Sequence, residues 1–100
     1  MSELNRTNIS LQDAIYPGPD VVFRILDGEA VLLNLKSGVY FGLNEMGTKI
    51  WNNLVENPSL EHAYSRILRE YEVEPEVAKR DLLRITAELL EKGLVSVTPK

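Results

Sequence analysis

Apolar and polar side chains alternate in three short runs and then recur every three or four positions, which predicts a sheet followed by helices. The strand-like runs are VVFRIL, EAVLLNL and VYFGL, separated by the turn dipeptides DG and SG. Helical spacing follows, and the predicted helices span 45–56, 60–71 and 75–92. Asn44 and Ser59 are predicted N-caps, and Gly93 is a predicted C-terminal stop. The pattern predicts an α+β fold with a winged helix-turn-helix outline, in which a three-stranded antiparallel meander precedes three helices.

The two hairpin turns decide which face of the sheet is buried. Two-residue turns would place the polar side chains of Asn34 and Lys36 on the core face. Three-residue turns that end at a left-handed glycine avoid this, so we predict the turns Leu26-Asp27-Gly28 and Lys36-Ser37-Gly38. The predicted core face then carries Val21, Phe23, Ile25, Val31, Leu33, Leu35, Val39, Phe41 and Leu43. Trp51 is predicted to fill the core between the sheet and the helices.

Residues 1–20 are polar and irregular and close with YPGPD, so we expect an N-terminal arm followed by a single folded domain over 21–100. No window approaches the roughly 18 apolar residues of a membrane span. The first ten residues also lack the apolar run of a signal peptide. We therefore expect a cytoplasmic protein without a membrane partner.

Composition argues against catalysis and against nucleic acid. The chain has no cysteine and one histidine, His62, so we expect no enzyme activity, no metal site and no cofactor. The formal net charge is −4 with a pI near 5.0. The charges of the third predicted helix, Lys79, Arg80, Arg84 and Lys92 against Glu76, Asp81, Glu88 and Glu91, sum to zero. A DNA-reading helix normally carries surplus basic residues, so a winged-helix DNA-binding regulator is the less favoured alternative.

The third strand, Val39 to Leu43, is predicted to be a sheet edge. Natural edges are usually protected by charge, proline or a bulge, and this one has none of them. Gly42 also removes a side chain where another backbone could approach. Two explanations fit: a ligand strand pairs with the edge, or the edge is covered by the N-terminal arm or by a second copy of the chain in a homodimer.

Two stretches, DGEAVLLNLKSGVYFGLNEMGTKIWNNL and YEVEPEVAKRDLLRITAELLEKGLV, resemble the coenzyme PQQ synthesis protein D family. The resemblance runs from about Val21 to Val95. It combines a hairpin glycine, an aromatic residue before Gly-Leu-Asn, an Ile-Trp helix, a Tyr-x-Val turn, a Val-x-x-x-Asp helix and a closing Gly-Leu-Val. These pieces share order and spacing with that family.

The resemblance implies a peptide chaperone, or RiPP recognition element, which captures the leader segment of a ribosomally made precursor peptide for a modifying enzyme, often a radical-SAM protein. It implies that the leader adds as an antiparallel strand to the third strand and lies against the third helix, where Asp81 matches the family's acidic position. Leu83 and Leu90 lie two helical turns apart and could hold apolar leader side chains. The expected peptide-binding residues are Val39, Tyr40, Phe41, Gly42, Leu43, Asp81, Leu83, Arg84, Ala87 and Leu90.

Overall fold

The computed structural model describes residues 9–98, which form two small antiparallel sheets and three helices. The elements are β1 (Ala14–Pro17), β2 (Val21–Leu26), β3 (Glu29–Asn34), β4 (Tyr40–Gly42), α1 (Glu45–Glu56), α2 (Leu60–Glu70), α3 (Pro75–Glu91) and β5 (Val95–Thr98). The meander β2-β3-β4 precedes the three helices in the chain, so the predicted α+β class and winged outline are confirmed.

The helix ends follow the predicted caps. The side chain of Asn44 accepts a hydrogen bond from the Gly47 amide at 2.9 Å and starts α1 directly after β4. Ser59 Oγ accepts from the His62 amide at 3.1 Å and starts α2. Gly93 follows α3 with φ of 71°, a left-handed conformation that glycine adopts without strain. Local sequence therefore determines where α1 and α2 begin and where α3 ends.

The predicted three-residue turns are wrong. Leu26 lies opposite Glu29, so the first loop has only two residues, Asp27 and Gly28, with φ of 54° and 80°. Positive φ at both positions defines a type I′ turn, whose twist matches the flanking strands. The second loop has four residues, 35–38, because the amide of residue 34 donates to the carbonyl of Val39 at 2.9 Å.

Because the observed turns differ from the predicted ones, the residues of the sheet that face the helices differ as well. Phe23, Leu32 and Phe41 lie side by side across the sheet and share the face that packs on the helices. Val31 and Leu33 point the other way, contrary to the prediction.

Asn34 can lie at the end of the helix-facing side of the sheet because its side-chain amide finds hydrogen-bond partners there. Its Oδ1 accepts from the amides of Lys36 and Ser37 at 2.9 and 3.1 Å. Its Nδ2 donates to the Gly93 carbonyl at 3.0 Å. The penalty on which the prediction relied, a buried amide without partners, is therefore absent.

A second sheet joins the two ends of the described chain and was not predicted. β1 pairs antiparallel with β5, from Ala14 opposite Thr98 to Pro17 opposite Val95. Ile15 is fully buried and its amide donates to the Pro58 carbonyl at 2.8 Å. Residues 14–17 thus belong to the folded unit, although they fall within the predicted arm. Residues 1–8 of that arm lie outside the described residues.

Trp51 lies at the centre of the core, where it is 1% exposed, as predicted. The ring of Phe23 meets it edge to face with centroids 5.6 Å apart. Phe41, half-buried, packs against the same core from the sheet edge. Across residues 9–98, none of the helices combines the length and apolar character that a membrane crossing needs.

Candidate functional site

The β4 strand presents an open edge. The amide of Leu43 donates to the Ala30 carbonyl at 2.8 Å, and the Val39 carbonyl accepts from β3 at 2.9 Å. Because backbone groups in an antiparallel pair alternate in direction, the N–H and C=O groups of Tyr40 and Gly42 point away from β3. In the part of the chain that the structure describes, no strand pairs on that side. An extended chain can therefore add to the sheet here.

A groove lies between this edge and α3. It is lined by Phe41, Gly42, Leu43, Asn44, Gly47, Arg84, Ile85 and Glu88. Its volume of about 210 Å³ is below the roughly 300 Å³ at which small-molecule pockets begin. The groove suits one or two side chains of a strand that pairs with β4.

The groove has an apolar floor and a charged rim. Leu43 and Ile85, both under 10% exposed, form the floor. On the rim, Arg84 lies 3.5 Å from Glu88 and 3.8 Å from Asp81, so both carboxylates orient its guanidinium. These groups are solvent-accessible, and such pairs contribute little to stability. They remain free to re-pair with charges on a bound chain.

A cation also borders the edge strand itself. Lys92 Nζ lies 5.6 Å from the centre of the Phe41 ring, within cation–π range. Lys92 follows the last residue of α3, so the far end of that helix also faces β4.

Thr48, on α1, holds the end of β4 in place from the helix side of the sheet. Its hydroxyl accepts from the Ala30 amide at 2.8 Å and donates to the Leu43 carbonyl at 3.3 Å. One side chain of α1 therefore connects the first residues of β3 with the residue after β4. These two hydrogen bonds anchor the end of the open edge to α1.

Some of the sequence-predicted residues meet at this groove and others do not. Phe41, Gly42, Leu43 and Arg84 line it, Val39 and Tyr40 lie on the same edge, and Asp81 reaches it through Arg84. Leu83, Ala87 and Leu90 are not among the lining residues. Successive helical residues are rotated by about 100°, which places Leu83 and Leu90 about 100° and 120° from Arg84, on the side away from Ile85. Ala87 lies on that same side, about 60° from Arg84.

Leu83 and Leu90 instead pack, half-buried, against the core. Their proposed contacts with a peptide stay predictions. Sequence reasoning missed Asn44, Gly47, Ile85 and Glu88 as groove residues. Glu88 was recognisable because it lies four positions after Arg84 on the same helical face.

Metal-binding groups do not meet at this site or elsewhere within residues 9–98, where no cluster of three or more His, Cys, Asp or Glu side chains could hold an ion.

The meander, the three helices and the open β4 edge define a small α+β module with a winged helix-turn-helix outline. The model of one protein family, coenzyme PQQ synthesis protein D (PqqD), matches residues 29–95, well over half of the chain. The chain belongs to the PqqD family.

Two solved structures are similar to this chain over most of their length. The first is TbiB1 in complex with the TbiA(beta) leader peptide, at 36% identity and a TM-score of 0.78, with 81% of this chain and 94% of that chain covered. The second is lasso peptide synthetase B1 complexed with the leader peptide, at 29% identity and a TM-score of 0.75, with 83% and 98% covered. No curated protein matches the chain.

Proposed function

We propose that this chain binds the leader segment of a ribosomally made precursor peptide and presents the peptide to a separate modifying enzyme. The observation that carries the proposal is the open β4 edge beside the α3 groove. The leader adds as an antiparallel strand to β4, and its backbone pairs with the outward groups of Tyr40 and Gly42. Both similar solved structures hold a leader peptide, which supports the same ligand class here.

Affinity and selectivity come from different parts of the site. Backbone hydrogen bonds along β4 give affinity for any extended chain, and the groove selects the side chains that point towards α3. Ordering a flexible leader costs several kcal/mol, so we expect a net binding free energy of about −7 to −10 kcal/mol. This corresponds to micromolar to sub-micromolar dissociation constants.

The chain presents the precursor peptide, and the partner enzyme carries out the chemical modification. In this proposal the partner is the radical-SAM enzyme that the family resemblance implies, and both proteins act in the cytoplasm. The final product made from the precursor is PQQ or another peptide-derived natural product. The proposed peptide contacts are Val39, Tyr40, Phe41, Gly42, Leu43, Asp81, Arg84, Ile85 and Glu88. The sequence-predicted residues Leu83, Ala87 and Leu90 lie on the adjoining face of α3, and we expect them to contribute less.

Gly42 offers a matched pair of variants that tests strand addition. Gly42→Pro removes one outward amide and adds a ring at the edge, so we expect peptide capture to be lost. Gly42→Ala keeps the amide, and its added Cβ meets no atom of the chain within 4 Å, so we expect an intact fold and much smaller loss of binding than with proline. The measurement is fluorescence anisotropy of a labelled leader peptide, with folding checked by circular dichroism. Equal affinities of the two folded variants for the peptide would contradict strand addition at β4.

A further inference from the structure

The face of the β2-β3-β4 sheet that points away from the helices is apolar and open. It carries Val22, Arg24, Leu26, Val31, Leu33 and Tyr40, and this set is called the outer sheet face below. Four of its five apolar side chains are well exposed: Val22 at 46%, Leu26 at 56%, Val31 at 38% and Tyr40 at 68%. A sheet face that only meets water normally carries polar side chains. Contiguous exposed apolar surface of this kind marks an interaction site.

The chain itself offers little to cover this face. The first eight residues, MSELNRTN, contain only Met1 and Leu4 as large apolar side chains. A second copy fits poorly as well, because Arg24 lies in the central row, beside Val31 and Gly42. A two-fold axis over the centre of the face would bring the Arg24 side chains of both copies together, with like charges opposed.

The outer sheet face continues directly into the β4 edge. Tyr40 contributes its ring to the face and its backbone groups to the edge. A protein seated on the face would therefore lie beside a strand added to β4. Arg24 has no carboxylate within ion-pairing distance among residues 9–98, so its charge is available to a partner.

We infer that the outer sheet face docks the enzyme that modifies the captured peptide, through an apolar surface of that enzyme with a carboxylate opposite Arg24. The inference rests on the proposed function, because it assigns the second partner of a peptide-presenting module. It separates two surfaces of one small domain. The β4 edge and groove hold the leader, and the outer sheet face holds the protein that acts on the rest of the peptide.

The test uses the full chain, a labelled leader peptide and the purified modifying enzyme encoded in the same gene cluster. We expect Val22→Lys to weaken enzyme binding at least tenfold in biolayer interferometry while leader affinity stays unchanged. Val55→Lys is the matched control, since Val55 is equally exposed, at 45%, on α1, and it should change neither affinity. Arg24→Glu should also weaken enzyme binding at least tenfold. Leu26→Lys, beside the turn, replaces Val22→Lys if that variant does not fold.

Three outcomes would overturn the docking inference while leaving the proposed function intact. Enzyme binding could be unchanged in the folded variants, which would place the enzyme elsewhere. The variants could weaken leader binding itself, which would assign the face to the peptide. The chain alone could sediment as a dimer that Val22→Lys converts to a monomer, which would make the occupant a second copy. Failure of the wild-type chain to bind the leader would instead refute the proposed function, and the docking inference with it.

Discussion

Thr48 shows how one hydroxyl positions the candidate site. It is 5% exposed, and the Ala30 amide that donates to it is fully buried. In a sheet that amide would ordinarily find a carbonyl on a neighbouring strand. Here the strand pairing ends and the side chain of α1 replaces the missing partner. A buried N–H group without a partner is costly, so the identity of this residue matters more than its volume.

We expect Thr48→Val to lower the free energy of unfolding by about 1–3 kcal/mol, because the Ala30 amide loses its acceptor. Thr86→Val is the matched control. Thr86 is buried as well, but its hydroxyl donates to the Leu82 carbonyl one helical turn earlier, and its loss leaves no donor unpaired. Its cost should stay below about 1 kcal/mol. Urea denaturation followed by circular dichroism measures both, and equal losses would contradict the positioning role of Thr48.

At the scale of elements, α3 presents two different flanks. One flank, with Arg84, Ile85 and Glu88, borders β4 and the groove. The other, with Leu83 and Leu90, packs on the core. The sequence pattern pointed to the second flank because its leucines give α3 more apolar surface than one packing partner can cover. The groove flank has fewer apolar side chains, so hydrophobic periodicity alone does not detect it.

Methyl resonances distinguish the two flanks directly. On addition of leader peptide to a methyl-labelled chain, we expect shifts at Leu43 and Ile85, which floor the groove, and much smaller shifts at Leu83 and Leu90. The reason is proximity, since only the first pair lines the surface beside the β4 edge. The reverse pattern would show that the peptide lies on the leucine flank, as the sequence prediction had it.

The contact between α1 and α2 includes an ion pair with a measurable signature. Lys49 Nζ lies 3.1 Å from Glu70 Oε1, and this hydrogen bond, with a weaker one from Arg66, holds the pKa of Glu70 below its ordinary value of 4.5. A carboxylate whose pKa is lowered by folding stabilises the fold at pH values above its ordinary pKa. That contribution is lost as the pH falls through the lowered pKa.

We expect Lys49→Met to raise the pKa of Glu70 towards 4.5, followed by NMR titration of its side-chain carboxyl carbon. Arg66→Met is the control and should raise that pKa less, because the Lys49 bond is the larger cause. A larger change in the Arg66 variant would reverse this assignment.

Prediction from the sequence succeeded where the determining contacts are local and failed where they are distant. The helix ends follow from caps such as Asn44 and Ser59, each bonded to an amide three residues away. The turn lengths were predicted wrongly because they rested on excluding Asn34 from the helix-facing side of the sheet. Its side-chain amide is in fact hydrogen-bonded to the Gly93 carbonyl, 59 residues later. Strand β1 was missed because its partner, β5, lies at the other end of the chain and a four-residue run has no clear periodicity. The edge was recognised from its unprotected sequence, whereas the groove depends on how α3 rotates against it.

At the scale of the whole molecule, β1 and β5 close the domain. The backbone bonds from Ile15 to Pro58 and from Gly18 to Leu94, at 2.8 and 3.0 Å, join the N-terminal segment to the loop between α1 and α2 and to the residue before β5. Ile15 inserts into the core that also contains Leu94 and Val95. The N-terminal segment therefore packs into the same core as the helices, even though the family match begins only at residue 29.

Ile15→Ala tests that contribution against the predicted arm. Ile15 is fully buried, so its truncation should lower the free energy of unfolding by about 2–5 kcal/mol. A domain of this size has only about 5–15 kcal/mol in total. Tyr16→Ala is the matched control, because Tyr16 lies next along β1, points to the other side and is 45% exposed. Its cost should be near 0.5 kcal/mol, roughly that of a surface substitution. If urea denaturation finds the two variants equally stable, residues 14–17 behave as the arm that the sequence predicted, and the domain closes without them.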